Sequence, residues 1–253
     1  MRSVWALAGL AVLSEVAYPL TPEDHRDALT IGSVLVFCTA ALAHAALTRG
    51  PRAAALVFAV TAGGGLLAET AGVGSGLPFG EYHYTGSLGP RILGVPAIIP
   101  LAWTMMAWPA WLGAGALARR PTTRILLAGW ALASWDFFLD PQMVAAGHWV
   151  WESPGPGLPF VPGVPLTNYA GWAVVAIALA AALMLALPSS PPGPRPADRP
   201  MYALYLWTYF SSLLAHLVFL SLPGSALWGG LAMGTVAVPL AIRLAAWRRV
   251  AAA

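Results

Sequence analysis

A chain of 253 residues with 58% hydrophobic and only 9% charged residues cannot cover a water-facing surface, since ordinary globular domains carry about 25% charge. All 13 basic residues are Arg, set against 10 acids for a net charge of +3. Lipid is therefore the expected solvent, which excludes a cytosolic enzyme, a disulfide-stapled secreted scaffold and a nucleic-acid binder. The arginines are scattered in ones, twos and threes between apolar runs, the placement of topology signals rather than of a basic patch. The single Cys38 has no intrachain partner and reads as inert core filling.

A membrane-crossing helix needs about 20 mostly apolar residues. Such runs fall at 3–20, 28–48, 53–72, 92–118, 122–140, 167–188, 201–222 and 225–247. The expectation is an all-α, polytopic membrane helix bundle of eight spans, or seven, forming a single transmembrane domain over 1–253. Glu15 and the lack of a small-residue cleavage site argue for retention of the first run. The stretch Pro188-Ser-Ser-Pro-Pro-Gly-Pro-Arg-Pro196 cannot be helical, because successive prolines remove donors and fix an extended backbone. Residues 188–200 are therefore a linker between spans six and seven.

Orientation follows from the arginines. With the N-terminus inside, the inner face collects Arg2, Arg49, Arg52, Arg119, Arg120, Arg124, Arg195, Arg199, Arg243, Arg248 and Arg249, leaving Arg26 and Arg91 outside. That asymmetry predicts a multi-pass protein of the cytoplasmic membrane with both termini in the cytoplasm. Glu15, Glu69, Asp136 and Asp140 then lie toward the outer ends of outgoing helices. Ionisable groups at membrane depth cost about 2.5–3.5 kcal/mol each, and usually face a cavity or one another. Several on one side predict a shared polar pocket in the outer half.

The two long outer connections resemble each other. The first runs Glu81-Tyr82-His83-Tyr84, Gly94-Val95-Pro96, Trp103; the second runs Trp149-Val150-Trp151-Glu152, Gly163-Val164-Pro165, Trp172. An acid precedes each, Glu69 in one and Asp136 with Asp140 in the other. Two outgoing-helix, connection, ingoing-helix units predict a parallel repeat of two helix pairs about an axis along the membrane normal. It would set Glu69 opposite the aspartate pair.

Asp136 and Asp140 are four residues apart, on one face of a helix. In apolar surroundings two such carboxyls cannot both ionise cheaply, so one keeps its proton and can serve as a general acid. Trp135, Trp149, Trp151, Trp172, Tyr82 and Tyr84 cluster near the acids. Their ring faces would stabilise a carbocation by about 0.5–2 kcal/mol each when desolvated, although an interfacial aromatic belt gives the same composition. The five histidines have no short-spaced pair, and no phosphate-cradling loop, dinucleotide fingerprint or nucleophile elbow is present.

Glu69 with Gly80-Glu-Tyr-His-Tyr84, Leu88-Gly-Pro90, Gly94-Val-Pro96 and Pro100-Leu-Ala-Trp103 resembles the membrane-integral carotenoid hydratase family. Trp135-Asp136, Leu139-Asp-Pro-Gln-Met143, Gly147-His-Trp-Val-Trp151 and Asn168-Tyr-Ala-Gly-Trp172 carry the same resemblance, which spans a motif-bearing core at 65–175. The resemblance implies a hydro-lyase of carotenoid biosynthesis. It would add water to the 1,2 double bond of an acyclic carotenoid end group, giving a tertiary alcohol, with no metal and no cofactor. The expected partners are the polyene, water and the bilayer, with neighbouring pathway enzymes as further candidates and nucleic acid excluded.

Candidate catalytic residues are Asp136 and Asp140 as the proton source, Asp140 being favoured, with Glu69 or Glu81 orienting the water. Candidate substrate contacts are Tyr82, His83, Tyr84, Trp103, Trp135, His148, Trp149, Trp151, Asn168 and Trp172. An end-group cyclase or isomerase would use the same acid and cation. A small transporter also fits intramembrane acids with a repeat, but it needs ionisable groups continuing inward, where His44 stands alone.

Overall fold

The computed structural model of the protein describes residues 1–153 and 155–252. Helix α1 (Arg2–Ala17) ends in a 3-10 turn and is followed by α2 (Arg26–Arg49). Gly50, at φ 91°, turns the chain into α3 (Pro51–Phe58), a π-helical segment (Ala59–Gly63) and α4 (Gly64–Ser75). Helix α5 (Ile98–Leu117) precedes α6 (Pro121–Ala133) and α7 (Asp136–Ala145). The last three helices are α8 (Leu166–Ala186), α9 (Arg199–Val218) and α10 (Pro223–Ala252).

Five helical stretches are long and apolar enough to cross a membrane: Arg2–Leu20, Glu23–Arg49, Pro51–Ser75, Leu166–Ala186 and Pro223–Arg249. The outward surfaces of these rods carry bare Leu and Val side chains, Leu67, Val174 and Leu185 among them. Apolar side chains facing outward in such number, on rods long enough to cross a bilayer, fit a lipid solvent. The protein is a membrane protein of helical architecture. Helix α5 is buried on nearly every side from Ile98 to Ala116, as a helix apolar all round should be, and it forms the centre of the bundle. Small residues let the rods close in: a Cβ at Gly129 of α6 would lie 2.7 Å from the Cα of Ile177 in α8.

Three boundaries differ from the hydropathy reading, each for a local reason. The run predicted at 92–118 becomes helical only from Ile98. Before it, β2 (Arg91–Ile92) and β3 (Val95–Pro96) pair across Leu93 and Gly94, whose positive φ values do not fit a helix. The run predicted at 122–140 breaks after Ala133 and resumes at Asp136, continuing to Ala145. There Trp135 N–H bonds back three residues to the Leu132 carbonyl, and Phe138 N–H to that of Trp135, tightening the turn. Pro141 supplies no N–H, and Ser225 of α10 donates to the freed Phe137 carbonyl at 2.7 Å. The third difference is the π segment inside 51–75, where Thr61 meets Thr104 of α5 at 2.8 Å.

The two long connections meet at one end of the bundle. Strand β1 (Tyr82–Tyr84) pairs antiparallel with β4 (Trp149–Trp151), Tyr82 opposite Trp151 and Tyr84 opposite Trp149. The pairing is flanked by Thr85 N–H to the His148 carbonyl at 3.0 Å and Glu152 N–H to that of Glu81 at 3.1 Å. Alternation along a strand sends the four aromatic rings inward, and His83 and Val150 outward.

At the opposite end the proline-rich linker is tied down. Asp198 accepts two hydrogen bonds from the Arg49 guanidinium, at 2.6 and 2.7 Å. His44 Nε2 lies 2.9 Å from the Ala197 carbonyl, and the Trp108 indole donates to His44 Nδ1 at 3.0 Å. That pair of partners dictates a neutral imidazole with its hydrogen on Nε2.

Candidate active site

Beneath the paired strands lies a narrow chamber of about 70 Å³. Its roof is Tyr82, Tyr84, Trp149 and Trp151; its walls include Trp103 of α5, Trp135, Asp140 of α7, and Asn168 and Trp172 of α8; Glu69 of α4 closes one side. Residues far apart in sequence thus share one space, because the strand pairing folds both connections over the same helices.

Glu69 is held by three donors. The phenols of Tyr82 and Tyr84 reach Oε2 at 2.5 and 2.8 Å, and the Trp103 indole N–H reaches Oε1 at 3.0 Å. An ionised carboxylate only accepts, so this set of neutral donors suits one, and the residue is only 5% exposed. Among the described residues no Arg or His forms an ion pair with it. Burial first, then the Glu69 charge, push both phenols above their ordinary range, so they stay protonated and keep donating at neutral pH.

The aspartates are arranged differently. Asp136 occupies the first turn of α7 and Asp140 the next, both buried. The Asn168 side-chain amide donates to Asp136 Oδ2 at 2.8 Å and also to Asp140 Oδ2. One NH2 group therefore bridges two carboxyls, using both its hydrogens. Asp136 Oδ1 is buried with no hydrogen-bond partner, an expensive state unless the carboxyl takes up a proton or a water. Asp140 lines the chamber, whereas Asp136 stands behind it, joined through Asn168.

Aromatic geometry completes the wall. Trp103 and Trp172 stack with centroids 4.0 Å apart and planes 12° from parallel. Trp135 meets Trp172 edge-on at 6.2 Å, Tyr82 leans on Trp151 at 5.5 Å and Tyr84 meets Trp149 edge-on at 5.6 Å. Room for Trp103 comes from Gly65 of α4, where a Cβ would lie 2.7 Å from the indole Cγ.

Of the residues singled out from sequence, Asp140, Glu69, Tyr82, Tyr84, Trp103, Trp135, Trp149, Trp151, Asn168 and Trp172 line this chamber. Glu81 and His83 do not. Glu81 is exposed and borders a separate surface cavity with Glu152, and His83 forms an exposed pair with Glu152 at 3.5 Å. His148 is buried, with Nδ1 2.7 Å from the Ser87 hydroxyl, and faces a different cavity alongside Asp27. Strand alternation carries the signal for the first two, since Tyr82 and Tyr84 inward forces Glu81 and His83 outward. Sequence reasoning missed Thr30 and Val34 of α2 and Met105 of α5, which also line the chamber. Hydropathy marks α2 as a span but does not give its rotation. Among the described residues, no group of three or more His, Cys, Asp and Glu side chains could hold a metal ion.

Over 109 residues, 41% of its length, the chain is 38% identical to the bisanhydrobacterioruberin hydratase of Haloarcula japonica. That match spans 36% of the relative's length, so the chain covers about a third of it. No solved structure matches significantly. A family model described as carotenoid biosynthesis protein matches residues 31–240, and the chain accordingly belongs to the carotenoid biosynthesis protein family.

Proposed function

We propose that this protein is a carotenoid hydratase, adding water across the 1,2 double bond of an acyclic carotenoid end group to give a tertiary alcohol. The observation that carries the reading is one aromatic-walled chamber bordered by two different carboxyl sites, Glu69 and the Asp136/Asp140 pair. Hydration of a trisubstituted alkene needs both an acid and a base, each positioned. The 38% identity to a hydratase supports the reaction class.

In this mechanism the aspartate pair keeps one proton, because two carboxyls so close in apolar surroundings do not both ionise. Asp140 gives that proton to the less substituted alkene carbon, and the π electrons form the new C–H bond. The resulting tertiary cation lies among the faces of Trp135, Trp151 and Tyr82, which stabilise positive charge. Glu69, held by Tyr82, Tyr84 and Trp103, aligns a water molecule. The water oxygen bonds to the cationic carbon and its surplus proton passes to Glu69. Transfer of that proton back to the aspartates, through water, restores the starting state.

The wider topology belongs to the same proposal. Eight spans with both termini in the cytoplasm are supported by the arginine asymmetry and by α5, α6–α7 and α9, which are helical where runs were predicted. The parallel repeat is supported by the connections themselves. The β1–β4 register exchanges equivalent residues, and Trp103 stacks on its counterpart Trp172, the self-complementary contacts of a two-fold relation.

Expression in a lycopene-producing host tests the reading. The extracted pigment gains the mass of one water per modified end, and its new oxygen comes from labelled water. A product of unchanged mass assigns the chain to cyclisation or isomerisation instead. The hydratase reading is then lost.

A further inference from the structure

The chamber is one of three cavities in series. A second, of about 130 Å³, shares Thr30, Val34, Met105, Trp135, Leu139 and Met143 with it. A third, of about 420 Å³, shares Tyr18, Gln142 and Leu220 with the second. Their linings change in order. The third is charged, with Glu23, Arg26, Asp27 and His148. The second is mixed: Glu15 of α1, Ser33 of α2, Gln142 of α7, and Thr208, Ser211 and Ser212 of α9 are set among a majority of apolar side chains. The first is aromatic.

We propose that this series is the water path of the protein, and that Glu15 with the serines of α9 holds water in its neck. Ser33, Thr208 and Ser211 bond to carbonyls of their own helices, but a polyene tail passing there would press hydrocarbon against the Glu15 carboxyl, at a cost of about 1–3 kcal/mol for a polar group left unpaired. Water satisfies it and gives the hydroxyls a second partner. The Ser211 hydroxyl stands 3.5 Å from Glu15 Oε2, a separation that leaves the carboxylate with lone pairs for further donors. On the hydratase reading, on which the functional part of this inference rests, each turnover consumes one water at the aromatic end. The graded lining supplies it from the bundle end where the connections lie, while the chamber keeps bulk solvent away from the cation.

Cysteine accessibility tests the path without reference to activity, and Cys38 is the only native thiol. In a Cys38→Ala background, Ser212→Cys and Ser33→Cys would be introduced separately, with Leu217→Cys, outward-facing on α9, as the lipid control. Intact membranes would be treated with a small, charged methanethiosulfonate reagent. Thiolates form in water and not in lipid, so both neck positions should react at least about tenfold faster than the control. Equal rates at the neck and at Leu217→Cys overturn the path. Loss of the holding group is read separately, as hydrated product per inserted molecule. Glu15→Leu lowers it about tenfold, the scale of one lost hydrogen bond, and Glu15→Gln, which still binds water, restores most of it. Full hydration by Glu15→Leu, or equal loss in Glu15→Gln, overturns the holding role. Fast labelling in a protein that forms no hydrated pigment leaves the path standing and removes the hydratase reading.

Discussion

Buried acids occur at both ends of this bundle, and their company differs. At the linker end, Asp198 is 2% exposed, takes a two-pronged contact from Arg49 and lies 3.5 Å from His44. At the connection end, Glu69, Asp136 and Asp140 are equally enclosed, but phenols, an indole and an amide surround them. A neutralised pair is a fastening, because its proton inventory is settled by the cation. Carboxyls supported only by neutral donors remain free to gain and lose hydrogen, which acid–base work requires. The contrast separates a fastened aspartate from the carboxyls proposed to react, using partners alone.

The sharpest way to break the contrast is Asp140→Asn. It preserves shape and the Asn168 neighbour but offers no acidic proton, so hydration per inserted molecule should fall about 10²–10⁴-fold, the usual worth of a general acid, as measured by pigment mass analysis. Glu69→Gln comes next. Its amide turns one pair of donors toward the phenols, and the rate should drop about a hundredfold while the protein still accumulates in the membrane.

Asp198→Ala at the other end should behave in the opposite manner. Removing one partner of a buried pair costs about 3–5 kcal/mol of stability, seen as less inserted protein on immunoblots and a lower thermal midpoint in detergent. Turnover per surviving molecule should be unchanged. Trp103→Phe is milder: the stack on Trp172 largely persists, one N–H to Glu69 is lost, and the rate should decline about tenfold or less. Smallest of all is His83→Ala, which removes an exposed pair with Glu152. Such contacts contribute little, and both yield and turnover should match the native protein.

Much of this was legible in the sequence, and the remainder failed for identifiable reasons. Acids and rings gathered around Glu69 and Asp140 could be read because apolar composition makes every polar residue informative. Trp103 and Trp172, each seven residues beyond a Gly-Val-Pro, turned out to be stacked partners. The outward turn of Glu81 and His83 was not read, because β1 is three residues long, too short for period-two alternation to stand out from the surrounding loop. The break at Ser134–Trp135 and the π segment at Ala59–Gly63 leave hydropathy untouched. Both arise from hydrogen-bond choices that depend on neighbouring helices. The cavities beside α1 and α9 were likewise invisible, since helix rotation is decided by packing partners distant in the chain.

Gly65 gives the architecture an unexpected point of leverage. Its single hydrogen is all that fits beneath the Trp103 ring, and that ring both grips Glu69 and leans on Trp172. Adding one methyl there would tilt the indole, loosen its hold on the carboxylate and reshape the opposite wall in a single step, with no ionisable group replaced. The shape of the chamber can therefore be altered through a position that carries no chemistry of its own.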